Sequence, residues 1–522
     1  MGNRRILWID DEVDSFGSII KSLERDYEVL TATNGDEGLD IFNSTRIDAV
    51  ILDEQMPGMN GIMVLAELKA RKPTVPVVML TKSEEDSTAD SALGYGADDF
   101  LTKPAKTIGI KTKLKLLLDS KEIKQAKMRE ECNALFVKAL NDIGACRTFN
   151  DWAELYRRIV VKEVETEDVQ DISEMHSQLR REANAAFSKF VIGNYEEWLK
   201  ADSPSGSSPA VLSHQVLGKV VKPLLAAGEK VALVVIDNFR LDQWTLFERQ
   251  LAGDFDIKTD LYCSILPSAT QFSRNAIFSG LLPQKIKEVS PNLWVDKAAS
   301  EEGLNNSERE LLANYFERNR LSKKCSYYKV CSNASGEEYL RKFGGYKDND
   351  LNAVVFSFVD SLSHTSSATN VNRELLCTDA GYRSVTLSWL KHGVLRPVLE
   401  KFADNGFKII LTTDHGTIRV SSPIDITGTA EINSNMRYKV DKNMMLKKKA
   451  DAKRVLEVSA PGRIGLPTCN LSDRFVFAAN EDFFVYPNDR NEFVERFKGS
   501  FQHGGISMEE MILPLVTLTR AR

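Results

Sequence analysis

Short runs of uninterrupted apolar residues recur toward both ends of the chain and are missing from its middle. Near the start they are Ile6-Leu7-Trp8-Ile9, Ala49-Val50-Ile51-Leu52, Val75-Pro76-Val77-Val78-Met79-Leu80 and Phe100-Leu101, with helically periodic segments between them. Strands buried on both faces are apolar at every position, and helical spacers between such runs predict parallel strands joined by crossover helices. From about residue 110 to 200 the period becomes helical. Phe149, Trp152, Leu155, Tyr156 and Ile159 fall on one stripe, and Ile172, Met175, Leu179, Ala186, Phe187 and Phe190 on another, with Asn150 expected to cap the first helix. No heptad persists beyond a few turns, which favours a three- or four-helix bundle over a dimerising coiled coil. Asp202–Pro209, rich in Ser, Pro and Gly, reads as a flexible junction. Apolar strands then return at Val231–Ile236, Val354–Val359 and Ile409–Thr413. The pattern predicts an α/β protein: a doubly wound domain over 1–120, a helical bundle over 121–205 and a second α/β domain over 206–522.

Composition sets limits on function. With 522 residues, 43% hydrophobic and 27% charged, the chain has core enough for two to four domains. A net charge of −6 and a pI near 5.8 exclude a general nucleic-acid coat or an anionic-membrane binder, leaving room only for a local basic patch. Seven cysteines without a CxxC pair fit a reducing compartment. The first residues, MGNRRILWIDDE, reach acids after four apolar positions, too few for a signal sequence, and no apolar stretch is long enough to span a bilayer. A cytoplasmic protein without membrane insertion is expected.

The apolar runs of the first domain each end in a polar residue: Asp10 and Asp11, Asp53, Thr81, Lys103. Strand ends of a doubly wound sheet converge on one crevice. Three carboxylates there repel unless a cation sits among them, and oxygen ligands of this kind suit Mg²⁺. Asp10-Asp11, the segment DEQMPGMNG from Asp53 to Gly61, Thr81 and Lys103-Pro104 together resemble a complete two-component receiver domain. The resemblance implies that Asp53 accepts a phosphoryl group and that Asp10, Asp11, Asp53 and the backbone carbonyl of Gln55 hold Mg²⁺. It further implies that Thr81 binds the phosphoryl oxygens, Lys103 neutralises charge and Phe100 is the aromatic switch residue. Lys82 departs from the small residue more usual there; it either restricts access to the acyl phosphate or points to solvent.

In the second α/β domain the strand-like runs end in Asp237, Asp360 and Asp414-His415. One such Asp is ordinarily a turn former. Six histidines exist in the chain, however, and three of them stand in DSLSH (His364), TTDHG (His415) and QHGG (His503), while His176 and His214 carry no chemistry. Two zinc ions held roughly 4 Å apart need imidazoles and carboxylates in two sets. Asp360, His364 and His503 can form one set, and Asp237, Asp414 and His415 the other. Thr270, in LPSATQFSR, is the expected nucleophile, its hydroxyl acidified by zinc and attacking phosphorus in line; Ser268 is the competitor, and Ser273 and Arg274 are candidate contacts to the nonbridging oxygens.

In this order, Asp237, Thr270, Asp360-x-x-x-His364, Asp414-His415 and His503 resemble the alkaline phosphatase superfamily, and PSATQFSRNAIFSGLLP resembles the nucleophile loop of its nucleotide pyrophosphatase/phosphodiesterase branch. The Cys-x-Pro-x-Arg of the sulfatase branch is absent from the sequence. Receiver, helical segment and alkaline-phosphatase-like α/β sandwich in one chain resemble a PglZ-domain response regulator of the PorX family. The resemblance implies a zinc phosphodiesterase acting on cyclic or linear oligonucleotides, a sensor histidine kinase as phosphodonor, and a homodimer on phosphorylation. It also implies control of type IX secretion through a secretion-motor protein or a sigma factor.

Two features bear on substrate and output. The stretch Arg437–Arg454, with Lys439, Lys442, Lys447, Lys448, Lys449 and Lys453, is either a solvated face or the lining of an oligonucleotide track, for which Tyr262, Phe272 or Phe358 would supply stacking unless they are core. No helix-turn-helix follows the receiver, which speaks against direct DNA binding. The alternative to an enzyme is a regulatory binding module whose zinc is mainly structural and whose phosphorylated dimer recruits a partner.

Overall fold

A computed structural model describes the backbone of residues 4–72, 74–81, 97–167, 172–200, 208–296, 305–365, 376, 378–428, 435–468 and 472–521, and their side chains except 119–126, 363–365 and 489. Lys82 lies outside the described residues. The chain forms two compact units, Met1–Glu131 and Cys132–Arg522, whose boundary falls within the helix Thr107–Ala145.

The first unit is built on five parallel strands, β1 (Arg5–Ile9), β2 (Glu28–Ala32), β3 (Ala49–Asp53), β4 (Val77–Thr81) and β5 (Asp99–Thr102), in the order β2-β1-β3-β4-β5. The central β3 and β4 are buried at every position, the consequence of cover on both faces. β2 lies at an edge and is half-exposed, which is why no continuous apolar run announced it. Leu7, Ile9, Val50 and Leu52 face one hydrophobic cluster, and Ile6, Trp8 and Ile51 the other. Asn60 caps the helix Gly61–Arg71 by accepting from Met63 N at 2.9 Å. Gly61 must lack a side chain, because a Cβ there would stand 2.1 Å from the carbonyl oxygen of Asp53.

The second unit carries a six-stranded mixed sheet. Its strands are β6 (Lys230–Ile236), β7 (Phe255–Cys263), β8 (Cys325–Val330), β9 (Leu351–Phe356), β10 (Phe407–Thr412) and the C-terminal strand Ile512–Arg520. β10, β6, β9 and β8 run parallel, while the C-terminal strand pairs antiparallel with β10 and with β7. Smaller sheets, among them one formed by Tyr438–Asp441, Arg474–Ala478 and Val455–Val458, complete the unit.

The helices Phe149–Glu165 and Ser173–Trp198 share one core with this sheet: Trp152, Tyr156, Leu179 and Phe187 belong to the same buried cluster as Val234, Val354 and Ile410. The segment expected to stand as a separate bundle is therefore largely part of the second unit. The apolar stripes supply the face that docks, and the sheet supplies what they dock on. The cap of the first of these helices is Thr148, in a reciprocal capping box with Asp151, rather than Asn150.

Candidate functional site

In the first unit the strand-end residues meet as their positions require. Asp10 and Asp53 are buried, Asp11 is exposed, and one oxygen from each lies within 4.8 Å of the others. Lys103 Nζ reaches Asp10 Oδ2 at 2.9 Å and Asp53 Oδ1 at 2.8 Å. Burial raises the Asp53 pKa; the hydrogen bond from Lys103 opposes this, and the charges of Asp10 and Asp11 add to it. Thr81 is buried at the end of β4, and its carbonyl accepts from Lys103 N at 2.7 Å. Phe100 is half-buried against the core on one side of the sheet, and Gln55 lines a surface recess with Asp11. Three acids with a lysine across two of them form a site fitted to a divalent cation and an anion side by side.

The second site assembles at the carboxyl edge of β6, β9 and β10. Asp237, Asp414 and His415 present ligand atoms within 4.8 Å of one another, as do Asp360, His415 and His503. His415 thus belongs to both groups. Asp360 does not end a strand as expected: β9 stops at Phe356, and Asp360 lies in the first turn of the helix Phe358–Thr365. His364 lies four residues on in that helix, with its side chain outside the described ones. The Asp360, His364 and His503 set is therefore seen as Asp360 and His503, 3.8 Å apart, with His415 beside them.

The electrostatics call for a cation. Asp237 and Asp414 are buried, and Asp237 Oδ1 and Asp414 Oδ2 have no hydrogen-bond partner among the described residues. Burial pushes the Asp237 carboxyl well above its ordinary range; Arg274 pulls against this, and Asp414 and Asp360 push it further. Desolvated carboxylate oxygens without a hydrogen bond, beside two imidazoles, are a donor set that a divalent metal satisfies. His415 Nδ1 lies 3.2 Å from Gly416 O, a carbonyl that only accepts, so Nδ1 carries the proton and Nε2 offers its lone pair toward the acids. Gly416 is obligatory, since a Cβ there would stand 2.0 Å from Glu509 O.

Thr270 opens the helix Thr270–Ser279, and its Oγ1 lies 2.9 Å from His415 Nε2. A helix N-terminus favours an anion at that point. Ser268 is placed differently: fully buried, it donates to Gly505 O at 2.8 Å and accepts from Gly504 N at 3.2 Å, pinning the loop that carries His503.

Ser273 and Arg274, the expected substrate contacts, are both engaged within the protein. Ser273 is fully buried, with its hydroxyl 2.8 Å from Ser264 Oγ. Arg274 is buried as well, its Nη1 2.6 Å from Asp237 Oδ2 and its Nε 3.2 Å from Glu308 Oε1. Every residue of the helix Thr270–Ser279 is buried, and Arg274 is spent on the candidate ligand Asp237 and on Glu308.

The basic stretch divides in the same way. Arg437 is buried and paired with Glu510 at 2.6 Å, Lys439 is buried with Nζ 2.8 Å from Tyr486 Oη, and Arg454 pairs with Asp451 and Asp482. Lys442, Lys447, Lys448, Lys449 and Lys453 remain exposed. Tyr262 and Phe272 are core residues, the latter against Trp294 and Tyr438, while half-buried Phe358 stacks on Trp389. His176 is a satisfied buried histidine, 2.8 Å from Thr166 Oγ1.

Three residues of the site escaped the sequence reading. Asn238, at φ 60°, donates to Asp360 Oδ1 at 3.2 Å; Glu308 backs Arg274; and Glu510 takes Gly505 N at 2.8 Å beside Arg437. Only Asn238, adjacent to Asp237, carried a local signal.

Comparison with known proteins distinguishes three successive segments of the chain. Residues 6–115 match the response regulator receiver domain, 122–199 the PorX response regulator linker domain, and 216–518 the BREX system PglZ alkaline phosphatase-like domain. The fold and sites define a two-component response regulator with a phosphatase-like output domain. The PglZ match takes in more than half of the chain, which therefore belongs to the PglZ alkaline phosphatase-like family; receiver, linker and PglZ domain in this order are those of a PorX-type response regulator.

Among curated proteins, the alkaline phosphatase synthesis transcriptional regulatory protein PhoP of Bacillus subtilis is 34% identical over 122 residues, 23% of this chain and 51% of that one. The transcriptional regulatory protein PrrA of Mycobacterium leprae is 36% identical over 115 residues, 22% of this chain and 49% of that one. The chain thus spans about half the length of the curated relatives it matches. A response regulator receiver domain protein from Clostridium thermocellum, solved by crystallography, is 36% identical and covers 23% of this chain and 98% of its own, with a TM-score of 0.22.

Proposed function

We propose that the protein is a phosphorylation-controlled, dinuclear-zinc phosphodiesterase whose nucleophile is Thr270. The observation that carries this reading is the juxtaposition of the Thr270 hydroxyl, at a helix N-terminus, with two overlapping ligand groups that share His415. Asp237, Asp414 and His415 would hold one zinc, and Asp360, His503 and His364 the other, with Thr270 joining the first. Bound there, the two ions supply Lewis acidity, lowering the hydroxyl pKa and taking up charge on the leaving oxygen. Thr270 Oγ1 attacks phosphorus, the P–O bond to the leaving alcohol breaks, and a threonine phosphoester remains until water cleaves it. Arg274 holds Asp237 from behind, and Ser268 holds the His503 loop.

The substrate proposed is a cyclic or linear oligonucleotide. The exposed lysines at 442, 447, 448, 449 and 453 are the part of the basic stretch left to meet a phosphate backbone. In the receiver, Asp53 is the proposed phosphoacceptor, with Mg²⁺ on Asp10, Asp11, Asp53 and the Gln55 carbonyl, a sensor kinase as donor and dimerisation as the response. A cytoplasmic location and control of type IX secretion, through a motor protein or sigma factor, belong to the same proposal.

Metal analysis with hydrolysis of bis-p-nitrophenyl phosphate tests the enzyme. Two zinc ions per chain, and turnover lost on chelation and in Thr270→Ala, are expected. Zinc without Thr270-dependent turnover would refute the catalytic reading in favour of a regulatory binding module.

A further inference from the structure

The helix Ser173–Trp198 carries, besides its apolar stripe, a polar one at four-residue spacing: Arg180, Asn184 and Ser188. All three engage the short segment between His503 and the C-terminal strand. Asn184 Nδ2 donates to Glu509 Oε2 at 2.8 Å while its Oδ1 accepts from Met508 N at 2.8 Å. Arg180 Nη1 lies 3.3 Å from Glu509 Oε1, and Ser188 Oγ donates to Ile506 O at 3.1 Å. Asn184, Ser188 and Glu509 are each at least 97% buried, so these bonds have no competing water.

The gripped segment is also the mount of two metal-ligand candidates. Gly505, two residues after His503, donates through its N–H to Glu510 Oε1 at 2.8 Å. Gly416, next to His415, donates through its N–H to Glu510 O at 3.2 Å and is pressed so closely on Glu509 O that no side chain fits between. A displacement of Glu509 and Glu510 therefore reaches both histidines through one hydrogen bond each.

We propose that Asn184 and Arg180 are positioning residues for the metal centre. The central helix fixes Glu509, and the Glu509–Glu510 backbone sets the places of His415 and His503. The inference rests on the metal-ligand reading of those histidines. It makes the linker helix a structural part of the site, and movement of that helix a direct means of changing metal geometry. Partners that orient ligands from behind are worth about 10–100-fold in metal affinity.

Zinc affinity of the full chain, measured by competition with a chromogenic chelator, tests this independently of turnover. Asn184→Asp keeps the acceptor for Met508 N but replaces the donor to Glu509 with a like charge; it should weaken the lower-affinity zinc about tenfold or more. Adding Glu509→Gln restores a donor opposite an acceptor and should return affinity close to wild type. Val191→Ala removes buried methyl groups from the same helix and leaves the hydrogen bonds to 506–510 in place; it should lower the melting temperature and leave zinc affinity unchanged. If Asn184→Asp does not fold, Arg180→Gln takes its place with the same expected loss. An Asn184→Asp protein that binds zinc as wild type does, or a Val191→Ala protein that loses as much, overturns the positioning role. A wild-type chain that takes up no zinc overturns the functional reading and this inference with it.

Discussion

Glu510→Gln changes one atom and disturbs four hydrogen bonds. Glu510 Oε1 accepts from Arg437 Nε at 3.1 Å and Gly505 N at 2.8 Å, and Oε2 accepts from Arg437 Nη2 at 2.6 Å and Ser507 Oγ at 2.7 Å, all with Glu510 and Arg437 fully buried. A glutamine keeps one acceptor oxygen but sets an NH₂ group against donors on the other side. The serine hydroxyl can rotate to accept from it, but the guanidinium cannot. The result is a buried arginine without its counter-charge, which costs about 3–5 kcal/mol. Because Gly505, two residues after His503, hangs from the altered carboxylate, zinc affinity should fall about 10–100-fold as well. Urea unfolding followed by tryptophan fluorescence reads the first effect, since five of the six tryptophans, all but Trp8, lie in the second unit. Chelator competition reads the second. A stability loss below about 1 kcal/mol with unchanged zinc affinity would refute the argument, because it would mean that solvent or a rearranged partner satisfies Arg437.

Other substitutions separate the roles assigned above. Ser268→Ala should lower turnover through a looser His503 loop yet leave the reaction Thr270-dependent; complete loss of turnover with both zinc ions retained would make Ser268 the nucleophile instead. Asp53→Ala should abolish acetyl-phosphate-dependent dimerisation measured by light scattering, and persistence of that response would sink the phosphoacceptor assignment. Lys439, pushed down from 10.5 to about 7 by burial, should make stability pH-dependent. Below its folded pKa both states hold the proton and the buried ammonium destabilises the fold; between about pH 7 and 10.5 the unfolded chain holds more protons, so stability rises with pH. Relative to Lys439→Met, wild-type unfolding free energy should climb across that window with a slope approaching about 1.4 kcal/mol per unit. A flat difference would show that Lys439 keeps its proton in the fold across that window, its ammonium well paired.

The central helices show how far an amphipathic pattern reaches. Phe149, Trp152, Leu155, Tyr156 and Ile159 announced a helix with a buried face, and that face is buried. The partner was not legible: the face docks on the output domain's core, and a stripe carries no address for what it meets. Asp360 shows the opposite case, where the residue joins the expected histidines but its element was misjudged. The run through Val359 stays apolar while the backbone has already turned from strand to helix at Phe358, and periodicity cannot resolve a change of structure within two residues.

Sequence by itself determined the parallel-sheet architecture and the convergence of Asp10 with Asp53 and of Asp237 with Asp414 and His415. In each case an unbroken apolar run fixes a buried strand, and the polar residue that ends it is delivered to one edge of the sheet. Only the tertiary structure decided which neighbouring polar groups are free for chemistry. Ser273, Arg274, Arg437 and Lys439 looked available by type and position, yet each is buried against a partner from elsewhere in the chain. Glu510 and Asn184, silent in sequence, meet the segment that follows the candidate ligand His503 because folding brings a helix and a loop more than 300 residues apart into hydrogen-bond contact. Strand patterns are local and periodic, whereas the desolvation that obliges a buried charge to find a partner is a property of the packed interior.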